Sequence, residues 1–223
     1  MNEELFKQAL IKFFAGLILV GLLLFLPAWT IRYPQGWLLI IILFVPMFIA
    51  GLIMMKKNPK LLKKRLQAKE EESEQRTVIF LSGIMFLAAF ISAGLSFRFH
   101  FLMLPWAVSI IGAILFLAAY ALYAEVLREN TFLSRTIEVQ EDQKVIDTGL
   151  YGIVRHPMYL ATVLLFLSMP LILGSVISFV IMLVYIPIIV KRIRNEEEVL
   201  TEGLPGYADY KEKVKYRLLP FIW

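Results

Sequence analysis

Long apolar blocks alternate with short charged segments along this chain, and the blocks recur at the length that crosses a bilayer. A hydrocarbon core about 30 Å thick needs roughly 20 helical residues. The stretches Phe13 to Trp29, Trp37 to Met55, Val78 to Phe97 and Pro105 to Ala124 read as four such spans. Trp29, Trp37 and Trp106 stand at block ends, where indole rings favour the headgroup layer. The first block exceeds the apolar stretch of a signal peptide, and no small-x-small cleavage site follows it, so it reads as a retained span. A fifth block, Met158 to Val190, would make a helix of roughly 50 Å, too long for one upright crossing. Breaks at Met169-Pro170 and Gly174-Ser175 divide it into two short limbs of a hairpin.

Charge decides between one crossing and a hairpin. With a hairpin, the N-terminus and segments 56–77, 129–157 and 191–223 share one side, and the opposite loops carry only Arg32 and Arg98 as basic residues. With a single crossing the basic residues divide almost evenly, and the usual cytoplasmic excess of Lys and Arg disappears. The pattern therefore predicts an all-α, polytopic membrane helix bundle with about six membrane-crossing limbs, a short C-terminal helical hairpin, and both termini cytoplasmic. Segment 56–77 mixes many basic residues with a few acids and predicts a charged surface helix beside anionic lipid. Residues 1–104 then form an N-terminal unit of three membrane helices. Residues 105–223 form a core of helix 4, loop 129–157, hairpin 158–190 and tail 191–223.

Composition agrees. Hydrophobic residues make up 59% and charged residues 18%, against about 45–50% and 25% in soluble chains. There are no cysteines, which removes disulfides, thiolate nucleophiles and cysteine-based metal sites. The two histidines, His100 and His156, are too few for a histidine-only metal site, and no metal is expected. In this setting a net charge of +5 reflects loops facing anionic lipid rather than nucleic acid.

Two polar segments on the predicted cytoplasmic side carry the candidate chemistry. The first ends Thr148-Gly149-Leu150-Tyr151-Gly152-Ile153-Val154-Arg155-His156-Pro157-Met158-Tyr159. Pro157 biases His156 away from helix and itself suits the first turn of one, so Arg155 and His156 sit where a loop becomes a membrane helix. Such a helix start favours a carboxylate, although Arg, His and Tyr equally suit a headgroup-level anchor. The second segment, Lys191 to Leu200, continues the last limb into water. Arg192 with Glu196, and Arg194 with Glu198, are four apart and share a helix face. Taken alone, this is also the pattern of a solvated helix.

The ordered set Gly149-x-Tyr151-x-x-x-Arg155-His156-Pro157-x-Tyr159, Arg192-x-x-x-Glu196-Glu197-x-x-Leu200 and Gly206-Tyr207-x-x-Tyr210, followed by Pro220, resembles the isoprenylcysteine carboxyl methyltransferase family. Phospholipid N-methyltransferases share its C-terminal core. The resemblance covers about residues 120–223, and Pro205-Gly206 stands where the family has Phe-Gly, which marks a divergent branch. It implies S-adenosylmethionine as methyl donor, a cofactor-binding cytoplasmic cap, and a membrane lipid or isoprenoid acceptor. It places cofactor contacts on Gln140, Val145, Ile146, Tyr151, His156, Pro157, Met158, Tyr159, Glu196 and Glu197. Arg192 falls where the family has an acceptor-binding arginine, and Arg192 and Arg155 are the candidate catalytic residues. A carboxylate acceptor fits Arg192 best. Aminophospholipid N-methylation, a sterol-type NADPH-dependent reductase, and a non-enzymatic transporter or assembly subunit are the alternatives. The transporter reading calls for ionisable groups near the membrane midplane, whereas Lys12, Glu125 and Arg128 lie at helix ends.

Overall fold

The computed structural model describes residues 3–66, 73–133 and 139–223. Helix α1 spans Glu3–Ala28, α2 Pro34–Lys57, α3 Pro59–Leu66, α4 Ser73–Phe99 and α5 Trp106–Glu129. A 3-10 turn at Gly149–Gly152 precedes α6 (Pro157–Leu173), α7 (Val176–Met182), α8 (Tyr185–Gly203) and α9 (Tyr207–Lys213). Among the described residues the extended pairing is confined to one bridge, Met103 with Ser175. Five helical stretches are long and apolar enough to cross a membrane, and α6 is a shorter apolar limb beside them. The chain is a multi-pass integral membrane protein, and its many exposed Ile, Leu and Phe side chains on α1, α2, α4 and α5 face lipid.

Prolines and polar caps set the helix boundaries. Pro34 and Pro157 occupy the first turns of α2 and α6, where a missing N–H costs nothing. The hairpin turns at Gly174-Ser175. Gly174 ends α6 with a left-handed φ of 70°, and the Ser175 hydroxyl caps α7 by accepting from Ser178 N. Pro170, offered above as part of the break, instead lies inside α6. The second limb is interrupted at Leu183–Val184. Pro187 has no N–H to donate to the carbonyl of Leu183, four residues back, and the helix restarts there. Helix α1 begins at Glu3 rather than near Phe13, because Leu5 packs with Met55 and Leu62 and keeps the polar first turns helical. The charged segment 56–77 yields α3 and the start of α4; residues 67–72 lie outside the described residues.

Helices α5 and α6 make the most extensive contact, and they close to backbone distance at Gly112. A Cβ there would lie 2.9 Å from both Ile172 N and Leu171 Cβ, so only glycine permits the approach. Gly112→Leu is expected to cost about 1–3 kcal/mol through overpacking, read as a lowered Tm in detergent. Around this contact Leu24, Tyr33, Leu39, Phe116, Ile172 and Leu173 form the buried core. The Tyr33 hydroxyl donates to Leu173 O at 2.7 Å.

Candidate active site

The two polar segments converge at the charged end of the bundle, although a helical hairpin separates them in sequence. The loop before α6 is fixed from both sides. Gly149 has a φ of 51°, and a Cβ there would sit 2.1 Å from Glu129 Oε1. That carboxylate accepts from the Thr148 hydroxyl at 3.0 Å and from Leu150 N at 3.2 Å. On the other side, Arg155 N and His156 N donate to the carbonyls of Tyr216 and Arg217, each at 2.9 Å. The C-terminal tail thus lies against the loop and holds it in place.

Beneath this loop two arginines and a histidine meet one carboxylate. Arg155 Nε donates to Glu197 Oε1 at 2.7 Å, His156 Nε2 lies 3.2 Å from the same oxygen, and Arg217 Nε donates to Glu197 Oε2 at 2.8 Å. Arg155 Nη1 also donates to the carbonyls of Val214 at 2.6 Å and Lys215 at 2.9 Å. Glu197, Arg155 and His156 are all buried, Glu197 to 3% exposure. Burying such charges is favourable only when they are paired and hydrogen-bonded, as they are here.

One residue earlier, Glu196 points the other way, into a cleft. The Tyr159 hydroxyl donates to Glu196 Oε2 and accepts from Arg192 Nε at 2.9 Å. The Arg192 guanidinium lies 5.9 Å from the centre of the Tyr159 ring. The His156 ring stacks beside Tyr159, centroids 5.7 Å apart. Loop residues Lys144, Val145 and Ile146 form the facing wall, with Leu200, Leu204 and Tyr207 behind. Tyr151 is fixed at both ends: its hydroxyl accepts from Asn130 Nδ2 at 3.1 Å and its carbonyl from the Tyr210 hydroxyl at 2.7 Å. Burial pushes the phenols of Tyr151, Tyr207 and Tyr210 up, so at neutral pH they remain protonated and able to donate.

The residues singled out from sequence distribute as follows. Arg155, Val145, Ile146, Tyr151, His156, Met158, Tyr159, Arg192 and Glu196 line the cleft. Pro157 is fully buried at the start of α6. Glu197 lies behind the wall, in the cluster with Arg155, His156 and Arg217. Gln140 stands outside the cleft: its side chain donates to the carbonyl of Phe132, and its N–H donates to Gln143 Oε1 at 2.8 Å. It closes the turn from which Gln143 and Lys144 reach the cleft. Residues 134–138 of the same loop lie outside the described residues. Arg217, Asn130 and Tyr207 were not marked as site residues. Tyr207 had a signal in its spacing to Tyr210, and Arg217 none.

The hydroxyl of Tyr207 is the most informative of these. It is buried and has no hydrogen-bond partner among the described residues, a state that is costly unless a ligand supplies one. Aromatic faces, the Glu196 carboxylate, the Arg192 guanidinium and the Tyr207 phenol fit a ligand that combines a flat ring, hydroxyls and a charged group.

Residues 109–202 match the model of the isoprenylcysteine carboxyl methyltransferase (ICMT) family. The core of the chain is similar to that family over this span. The matched segment carries every ICMT-like cleft residue from Tyr151 to Glu196, while Tyr207, Tyr210 and Arg217 lie beyond it. Over the whole chain the fold is similar to that of a eukaryotic intramembrane Ras methyltransferase, ICMT, with a TM-score of 0.50 and 19% identity, covering 100% of this chain and 88% of that one. The chain is also 28% identical over 91 residues to a Delta(14)-sterol reductase of Mus musculus. That match covers 40% of this chain and 22% of the reductase.

Proposed function

We propose that the chain is an S-adenosylmethionine-dependent methyltransferase that works at the cytoplasmic face of the membrane and methylates the carboxylate of a lipid-linked or isoprenoid acceptor. One observation carries the reading: a polar, aromatic cleft abuts an apolar cavity inside the bundle. The cleft holds Tyr159, Arg192 and Glu196. The cavity lies between α1, α2, α5 and α6 with α3 over it, and encloses ≈ 460 Å³. On α6 the stripe Met158, Thr162, Leu165, Met169 runs from one into the other, and the stripe Leu127, Tyr123, Tyr120, Phe116 of α5, with Asn130 just past its end, does the same. A water-soluble donor and a membrane-bound acceptor meet at such a junction.

The cleft fits the donor. Glu196 would accept hydrogen bonds from ribose hydroxyls or the ammonium, Tyr207 would satisfy its hydroxyl on a polar edge, and Tyr151 and Tyr159 would pack on rings or on positive charge. When bound, S-adenosylmethionine supplies a methyl group already activated by its sulfonium. The chain's own task is then placement, which contributes about 7–11 kcal/mol in favourable cases. A carboxylate acceptor is ionised at pH 7 and needs no general base. It needs a cation to hold it, and the Arg192 guanidinium, steadied by Tyr159, is suited to that role. Arg155 acts as a positioning residue, since its donors go to Glu197 and the tail carbonyls. An amine acceptor would need a proton acceptor as well.

A second reading rests on the reductase match: the same cleft would take a nicotinamide. Isothermal titration separates the two. S-adenosylmethionine is expected to give heat and NADPH none. Heat from NADPH alone would replace the methyltransferase with a reductase.

A further inference from the structure

The depth of the apolar cavity has a definite limit. Helices α5 and α6 touch at Gly112 and Leu171-Ile172, and toward the charged end Phe116, Tyr120, Tyr123 and Leu127 of α5 and Met169, Leu165 and Thr162 of α6 line the cavity. Phe116 and Met169 sit about one turn above the contact, both in the buried core. Leu43 reaches the same level from α2, where the Tyr120 hydroxyl donates to Leu43 O at 2.8 Å and ties α5 to α2. Below this level the two backbones are already in contact at Gly112. From Tyr159 at the cleft to Met169 is ten helical residues, about 15 Å at 1.5 Å each. An extended hydrocarbon of roughly a dozen C–C bonds covers that distance.

We propose that Phe116, Met169 and Leu43 form the floor of a molecular ruler that sets the longest apolar tail this enzyme accepts, at about a dozen carbons in line. The inference rests on the function proposed above and specifies its acceptor. Each methylene that enters the cavity adds about fourfold in affinity, and one that meets the floor adds nothing or forces the head out of the cleft. The N-terminal helices therefore take part in specificity: α2 supplies both a wall and part of the floor.

Leu43 offers a way to shorten the ruler. It lines the cavity at floor level and is only partly buried. Leu43→Phe extends the side chain into the cavity, and Leu43→Met is a milder version. Met169→Ala lowers the floor. The probes are N-acetyl-S-alkylcysteines with saturated tails of increasing length, presented to the protein in lipid nanodiscs. Occupancy is read by native mass spectrometry and turnover by methyl ester formation. For the natural chain, occupancy should rise with length and break near a dozen carbons. The break should move about one to two carbons shorter in Leu43→Phe and about two to three longer in Met169→Ala. The same break in all three proteins, at unchanged Tm, overturns the ruler even if esters form. If the breaks shift as expected but no probe is esterified at any length, the ruler stands and the methyl-transfer reading fails.

Discussion

Glu197→Ala is expected to abolish donor binding and to cost about 3–5 kcal/mol of stability, the penalty for stranding buried charge. The single carboxylate serves Arg155, His156 and Arg217. Its loss leaves the Arg155 guanidinium, 7% exposed, without its counter-ion in a space too tight for bulk water. The damage extends to the cleft, because the loop 155–156 and the tail 216–217 are bonded to each other through their backbones. Glu197→Gln should be milder. One oxygen would still accept from Arg155, and only the bond to Arg217 would be lost. The checks are Tm in detergent and titration with S-adenosylmethionine. An alanine variant with natural Tm and natural donor affinity would mean that the cluster does not hold the site.

The second large effect divides donor from acceptor. Arg192→Ala should lower kcat/KM for the acceptor about 100-fold, the size expected when one partner of a close charge pair is removed, while donor affinity stays within a few-fold. Glu196→Ala should do the reverse, weakening the donor by about tenfold or more, as loss of a hydrogen bond to a charged group does. The two side chains are one turn apart on α8 and bridged by the Tyr159 hydroxyl. Arg192→Lys tests the geometry, since it keeps the charge but loses the planar fork that suits a carboxylate. If both alanine variants bind donor normally and methylate a supplied acceptor normally, the roles given to Tyr159, Arg192 and Glu196 are wrong.

Much of this architecture was legible in the sequence because the bilayer imposes a length on each apolar block and charge asymmetry imposes a side. Those two constraints found the hairpin within Met158 to Val190, and with it the convergence of Arg155-His156 on α8. What they could not give is rotation. Neighbouring residues on a helix point about 100° apart, so Glu196 and Glu197 look alike in sequence. Only the packing of α8 decides that the first faces the cleft and the second faces the tail. Gln140 is similar: its turn is near the cleft, but its side chain is spent on the carbonyl of Phe132. The contribution of Val214 to Arg217 left no pattern at all, because the tail acts largely through backbone carbonyls, which every residue has. The break at Leu183 was readable in principle from Pro187, four residues on, but was hidden inside a uniformly apolar run.

The central claim is that the donor lies between the loop that ends at Tyr159 and the face of α8 that carries Glu196. The chain has no cysteine, so a single one can be introduced as a reporter. Val145→Cys and Leu200→Cys place it in the lining of the cleft, one on the loop and one on α8, and Ile18→Cys places it on the lipid-facing side of α1. The decisive measurement is the rate at which a maleimide labels each, with and without S-adenosylmethionine. Slower labelling at positions 145 and 200 alone, with no effect of NADPH, is the predicted result. Equal rates at both cleft positions, with donor binding confirmed by titration, would contradict it.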